Sequence, residues 1–223
     1  MNEKRRKIRR DDVLPSHMEL DIWEVYARLI LQLIDPGAYS GLQHGDKPDL
    51  FDAETSIGVE VTQAISSNNQ EADALYAKLR STKDEKLREK LTERIEQVGA
   101  QVFEWGLFGP KGTDSFDLVM DAFCTKLTKL NNGGYKAFEH NHLLIRSDIL
   151  ADAMMLGEAL TLFSERNDKA VKFERVIVTV PGHNYDFDLI RNMVHDKTFG
   201  SMDQYRIAEQ ARQIVIDADN SSR

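Results

Sequence analysis

The residues best able to do chemistry lie in one short stretch, Lys47-Pro-Asp-Leu-Phe-Asp-Ala-Glu-Thr-Ser-Ile-Gly-Val-Glu-Val-Thr-Gln63. Ile57, Val59 and Val61 alternate with Gly58, Glu60 and Thr62, the pattern of a half-buried strand. Folding the stretch as a hairpin about Glu54-Thr55, with a two- or four-residue loop, makes paired positions sum to 109. Asp49 then faces Glu60, Leu50 faces Val59, and Lys47 faces Thr62. Directly opposed residues share a sheet face, with Cβ atoms about 4.5–5.5 Å apart. A one-residue slip would separate the carboxylates and scatter the apolar set, so the pattern selects this register. Two opposed carboxylates repel unless a cation joins them or one takes up a proton. A hard divalent ion such as Mg²⁺ or Mn²⁺ suits such a pair, and it can activate water for attack on a phosphodiester. The bland alternative is a solvated acidic sheet face.

Pro48-Asp49, ten intervening residues, then Glu60-Val61-Thr62 resembles the motif of the PD-(D/E)XK nuclease superfamily. The apolar strand around Glu60, a preceding helix and two later strands add to the likeness. The resemblance implies a restriction-endonuclease-like α/β fold and a Mg²⁺-dependent endonuclease acting on DNA. It implies Asp49 and Glu60 as metal ligands, with the Val61 carbonyl as a third. The family's lysine belongs two residues after the glutamate, where this chain has Thr62. Threonine carries no cation. Lys126 and Lys129, on a helix before a later strand, and Lys47, across from Thr62, are the candidates to replace it. Many family members add an acidic residue from the first helix. Glu19 extends the apolar stripe of that helix and is the candidate, with a capping-box role as the alternative. Glu24 is the second choice and is expected to point toward solvent. A catalytically inactive module of the same fold, serving nucleic-acid binding or assembly, is the competing reading, and Thr62 favours it.

Positioning these groups requires a scaffold. A helix is expected from Ser16 or His17 to Ile34, with Ile22, Trp23, Tyr26, Leu29, Ile30, Leu33 and Ile34 inward. Tyr39–Gln43, Pro48–Asp52 and Ile57–Ile65 read as strands. Glu71–Val98 reads as a mostly exposed helical insertion, or a helical pair broken near Ser81-Thr82. Phe103–Gly112 reads as a loop and Ser115–Leu130 as a helix. A strand at Asn141–Arg146, a helix at Ala151–Glu165 and a strand at Arg175–Val180 follow. The last expected element is a helix at Gln204–Ile216. The order predicts a central mixed sheet flanked by helices, with antiparallel pairing early and parallel pairing late.

Composition sets the outer limits. The 223 residues are 41% hydrophobic, ordinary for a globular chain and too apolar for a disordered one. Residues 1–15 read as a basic flexible arm and 16–223 as one domain. No apolar run approaches the roughly 20 residues a membrane-spanning helix needs. Cys124 is the single cysteine, which rules out an intrachain disulfide and agrees with a cytoplasmic setting. The net charge of −8 means that contact with DNA must come from a local basic surface near the hairpin. A homodimer is the expected form if both strands of a duplex are cut.

Overall fold

The structure is a computed structural model that describes residues 20–103, 106–110, 112–133, 136 and 138–221. Its centre is a seven-stranded mixed sheet, order β1-β2-β3-β6-β7-β8-β9. The strands are β1 (Gln43–His44), β2 (Leu50–Asp52), β3 (Ile57–Ala64), β6 (His140–Ser147), β7 (Arg175–Val180), β8 (His183–Asp188) and β9 (Met193–Thr198). A separate two-stranded hairpin holds β4 (Gln101–Phe103) and β5 (Gly106–Phe108). The helices are α1 (Ile22–Ile34), α2 (Pro36–Tyr39), α3 (Ser67–Ser81), α4 (Glu85–Gln97), α5 (Asp117–Asn131), α6 (Ala153–Arg166) and α7 (Ser201–Ser221). The class is α/β with helices on both sheet faces, as the order of elements predicts.

The expected hairpin register is the observed one. Leu50 pairs with Val59, Phe51 with Gly58 and Asp52 with Ile57, enclosing a four-residue loop. That loop lacks a glycine. Instead, Asp52 Oδ1 accepts from the Glu54 and Thr55 backbone N–H groups at 2.9 and 3.4 Å, an Asx turn. Ser56 takes the left-handed conformation, φ 53°. Beyond β3 the chain leaves through the α3–α4 pair and the β4–β5 hairpin, which pack around their own small core of Ala72, Leu79, Leu91, Ile95 and Ala100. It then returns through α5 to lay β6 parallel to β3. The helical break falls at Thr82–Asp84, where Asp84 caps α4.

Two apolar cores sandwich the sheet. On one face α5 and α6 cover Leu143, Ile145, Val176 and Val178. On the other, α1 and α2 cover Leu50, Val59, Leu144 and Ile177. The alternation of Leu143, Leu144 and Ile145 between the two cores explains the unbroken apolar run of β6, which is paired with β3 and β7 and covered on both faces.

Several expectations change. α1 starts at Ile22, with Asp21 as the cap accepting from Trp23 N at 2.7 Å, and the Ser16 cap lies outside the described residues. Its buried face is Val25, Ala27, Ile30, Leu31 and Ile34, while Leu33 is 51% exposed. The stripe is therefore rotated, because α7 shares α1 with the sheet and buries Val25 against Ala211 and Val215. Tyr39 closes the short helix α2, and Phe103–Gly112 contributes a hairpin strand. Antiparallel pairing also recurs late, in β7–β8 and β8–β9. The turn signal for β8 was Pro181-Gly182, with Gly182 at φ 85° between paired Val180 and His183. Buried Asn184 and Asp186 disguise β8 as a polar segment.

Asp186 is tolerated inside because Arg175 grips it with two bonds of 2.7 and 2.6 Å. The same guanidinium reaches Asp35 at 3.1 Å, the residue that ends α1 and caps α2. Buried Tyr39 and His142 share a 2.9 Å hydrogen bond beside it. This network pins the α1–α2 corner to the sheet. Arg175→Leu leaves Asp186 buried without its partner and is expected to cost about 3–5 kcal/mol in urea unfolding. Burial, then the charge of Arg175, holds the His142 imidazole down at about 3. The unfolded chain binds that proton more readily, so stability falls as pH drops from about 6.5 toward 3. In His142→Gln the pH-stability slope in that window is expected to be shallower by up to about 1.4 kcal/mol per pH unit.

Candidate active site

Asp49 lies just beyond β2, and its carboxylate takes over part of the ladder. The Val61 backbone N–H donates to Asp49 Oδ2 at 2.6 Å. A residue in an antiparallel ladder aims its N–H and C=O to the same side. The Val61 carbonyl therefore faces the side of β3 where β2 has ended. Continuing the register puts Pro48 opposite Val61, and proline has no N–H to offer that carbonyl. The Pro-Asp pair thus opens the strands and leaves a carbonyl beside two carboxylates.

Glu60, on β3, is 2% exposed. Lys126 Nζ donates to Glu60 Oε2 at 2.7 Å and stands 3.6 Å from Asp49 Oδ2. The lysine comes from α5, whose buried stripe is Val119, Phe123, Leu127 and Leu130. Lys126 borders that stripe, three residues past Phe123, so its apolar stem follows the covered face and its head reaches the sheet. Burial pushes the Glu60 carboxyl up, and the hydrogen bond and charge of Lys126 oppose that shift. Glu60 Oε1 is buried and has no hydrogen-bond partner among the described residues.

The other candidates sort clearly by place. Lys129 is exposed and touches Glu60 only through a weak field. Lys47 is exposed and does not line the cleft. Thr62 lines it without reaching the carboxylates. Glu19 lies outside the described residues. Glu24, expected to point to solvent, instead lines the cleft beside Asp49 and Lys126, because α1 is rotated by its contact with α7. Burial first, and then the charges of Asp49 and Asp21, push its carboxyl up to about 7.

The cleft holds about 210 Å³ and is walled by Asp21, Trp23, Glu24, Tyr26, Asp49, Val61, Thr62, Gln63, Lys126, Leu144 and Arg146. Trp23 and Tyr26, both on the stripe expected to face inward, line the cleft, and Tyr26 also packs against the cores on either side of α1. No group of three or more His, Cys, Asp or Glu side chains is placed to hold a metal among the described residues. A hard cation would therefore need the Val61 carbonyl with the two carboxylates, and the unpartnered Glu60 Oε1 fits that oxygen-donor set. The cleft is of mixed charge, not basic: its cations Lys126 and Arg146 meet Asp21, Glu24 and Asp49. His140 and His142, a spacing suggestive of metal, pair instead with Glu174 and Tyr39.

Comparison with models of known families, with curated proteins and with solved structures finds no match to this chain. No helix among the described residues is long and apolar enough to cross a membrane.

The electrostatic arrangement has a direct readout. In Asp49→Asn a like charge beside Glu24 is gone, so the Glu24 carboxyl is expected to titrate below about 7 but above 4.5, since burial remains. A carboxyl-carbon NMR titration of both proteins measures the difference.

Proposed function

We propose that the protein is a metal-dependent nuclease of PD-(D/E)XK type that hydrolyses DNA phosphodiesters at the end of the β2–β3 hairpin. The observation that carries this reading is Lys126 Nζ, 2.7 Å from Glu60 and 3.6 Å from Asp49. This amine lies beside both carboxylates although Thr62 supplies none, which favours the nuclease reading over the inactive module. Asp49, Glu60 and the Val61 carbonyl would hold Mg²⁺ or Mn²⁺. When bound, the ion supplies Lewis-acid stabilisation of phosphate charge and a more acidic water.

The chain's own groups then have separable tasks. Asp49 spans the two strands through Val61 N–H, so its carboxylate is fixed by the hairpin register. Glu60 is held by Lys126 and by near-complete burial, which keeps it from wandering into solvent. Lys126 offers an ammonium that can orient a water and offset negative charge growing on the phosphorus oxygens. Water adds to phosphorus, the bond to one ester oxygen breaks, and a phosphomonoester and an alcohol result. Glu24, its carboxyl held up by burial and by the charge of Asp49, lines the same cleft.

The test is cleavage of duplex, single-stranded and branched DNA with Mg²⁺ or Mn²⁺. Asp49→Ala and Glu60→Ala are expected to abolish cleavage, and Lys126→Met to slow it at least about 100-fold. Lys47→Ala and Lys129→Ala are expected to stay near wild type. Cleavage unchanged in both carboxylate variants rejects the site, and no cleavage on any substrate favours the binding module.

A further inference from the structure

The cleft beside the carboxylates has a second character that hydrolysis alone does not require. Arg146 lies 4.0 Å from the centroid of the Trp23 ring. Trp23 in turn meets Tyr26 edge to face at 6.2 Å. Arg146 is not free to swing away, since Asp73 Oδ2 and Gln63 Oε1 accept from its Nη1 at 2.8 and 3.1 Å. The result is a braced cation–aromatic surface on the same cleft as Asp49 and Lys126. Such surfaces stack nucleobases, whereas a paired base offers only its edge in a groove. The space is also small: about 210 Å³ is on the scale of one ring system and its sugar. The lining is of mixed charge, so recognition here rests on stacking more than on a row of phosphate contacts.

We propose that this cleft takes one unpaired nucleotide of single-stranded DNA, its base stacked on the Trp23–Arg146 pair and its phosphate directed to Lys126 beside Asp49. The direction of the phosphate rests on the nuclease reading; the stacking does not. Trp23 is then the base-stacking residue, Arg146 the group that braces it, and Gln63 and Asp73 hold Arg146 in place. Duplex would enter only where it is frayed, nicked or flapped.

Binding is measured by fluorescence anisotropy of a labelled oligothymidylate and of a blunt hairpin duplex, in Ca²⁺ and again in EDTA. The chain has two tryptophans, Trp23 and Trp105, so a Trp105→Phe background makes Trp23 emission a reporter of stacking. The single strand is expected to bind at least about 5-fold more tightly than the duplex and to quench Trp23. Trp23→Ala is expected to weaken single-strand binding about 5- to 150-fold, Trp23→Phe to restore most of it, and neither to change duplex binding. Equal affinity for both forms, unquenched Trp23 at saturation, or Trp23→Phe as weak as Trp23→Ala overturns the proposal. If Trp23→Ala fails to fold, the quenching and Trp23→Phe decide. Single-strand preference without cleavage in Mg²⁺ counts against the nuclease reading alone. Cleavage of duplex unaffected at Trp23 counts against this inference alone.

Discussion

A carboxylate that is 2% exposed cannot remain charged without a partner, and the arrangement around Glu60 follows from that constraint. Its partner is Lys126, which comes from a helix that enters the sheet 66 residues later. The pair forms only if β6 lies parallel against β3, because that pairing sets where α5 crosses the sheet. Because β2 stops at Leu50, Asp49 bends its carboxylate to Val61 N–H and comes within 3.6 Å of the same amine. One ammonium shared by two carboxylates thus ties hairpin, sheet order and helix register together.

The opposite face of the sheet solves a different burial problem. Arg175, Asp186, Asp35, Tyr39 and His142 place charge and imidazole deep against α1 and α2. Because Asp35 both ends α1 and caps α2, the network sets the position of α1 from its C-terminal end. Its N-terminal end is set by α7. Between these two anchors the helix is turned so that Trp23, Glu24 and Tyr26 meet the cleft. The aromatic wall and the acidic group at the site are therefore consequences of packing far from it.

How much of this was legible depended on the range of the interactions. The hairpin was readable because alternation of Ile57, Val59 and Val61 against Glu60 has meaning in only one register, and Asp49 is then carried opposite Glu60 whatever the loop does. Lys126 was readable only as one of three, because a side chain bordering a helical stripe can be buried or exposed according to what the helix rests on. Glu24 and Trp23 were assigned to the wrong environments for the same reason. A periodic stripe gives the direction of burial only when one neighbour covers the helix, and α1 has two. β8 escaped notice because Asn184 and Asp186 are buried polar residues, a state that local pattern reads as exposure.

The sequence by itself determined the hairpin, its pairing register, the juxtaposition of two carboxylates and the α/β class, since these follow from side-chain alternation and turn chemistry between near neighbours. Tertiary structure alone decided which amine joins those carboxylates, which face of α1 closes the cleft and where the sheet ends. Those outcomes depend on contacts between segments tens of residues apart, where burial energy from several partners competes and no local spacing records which one prevails.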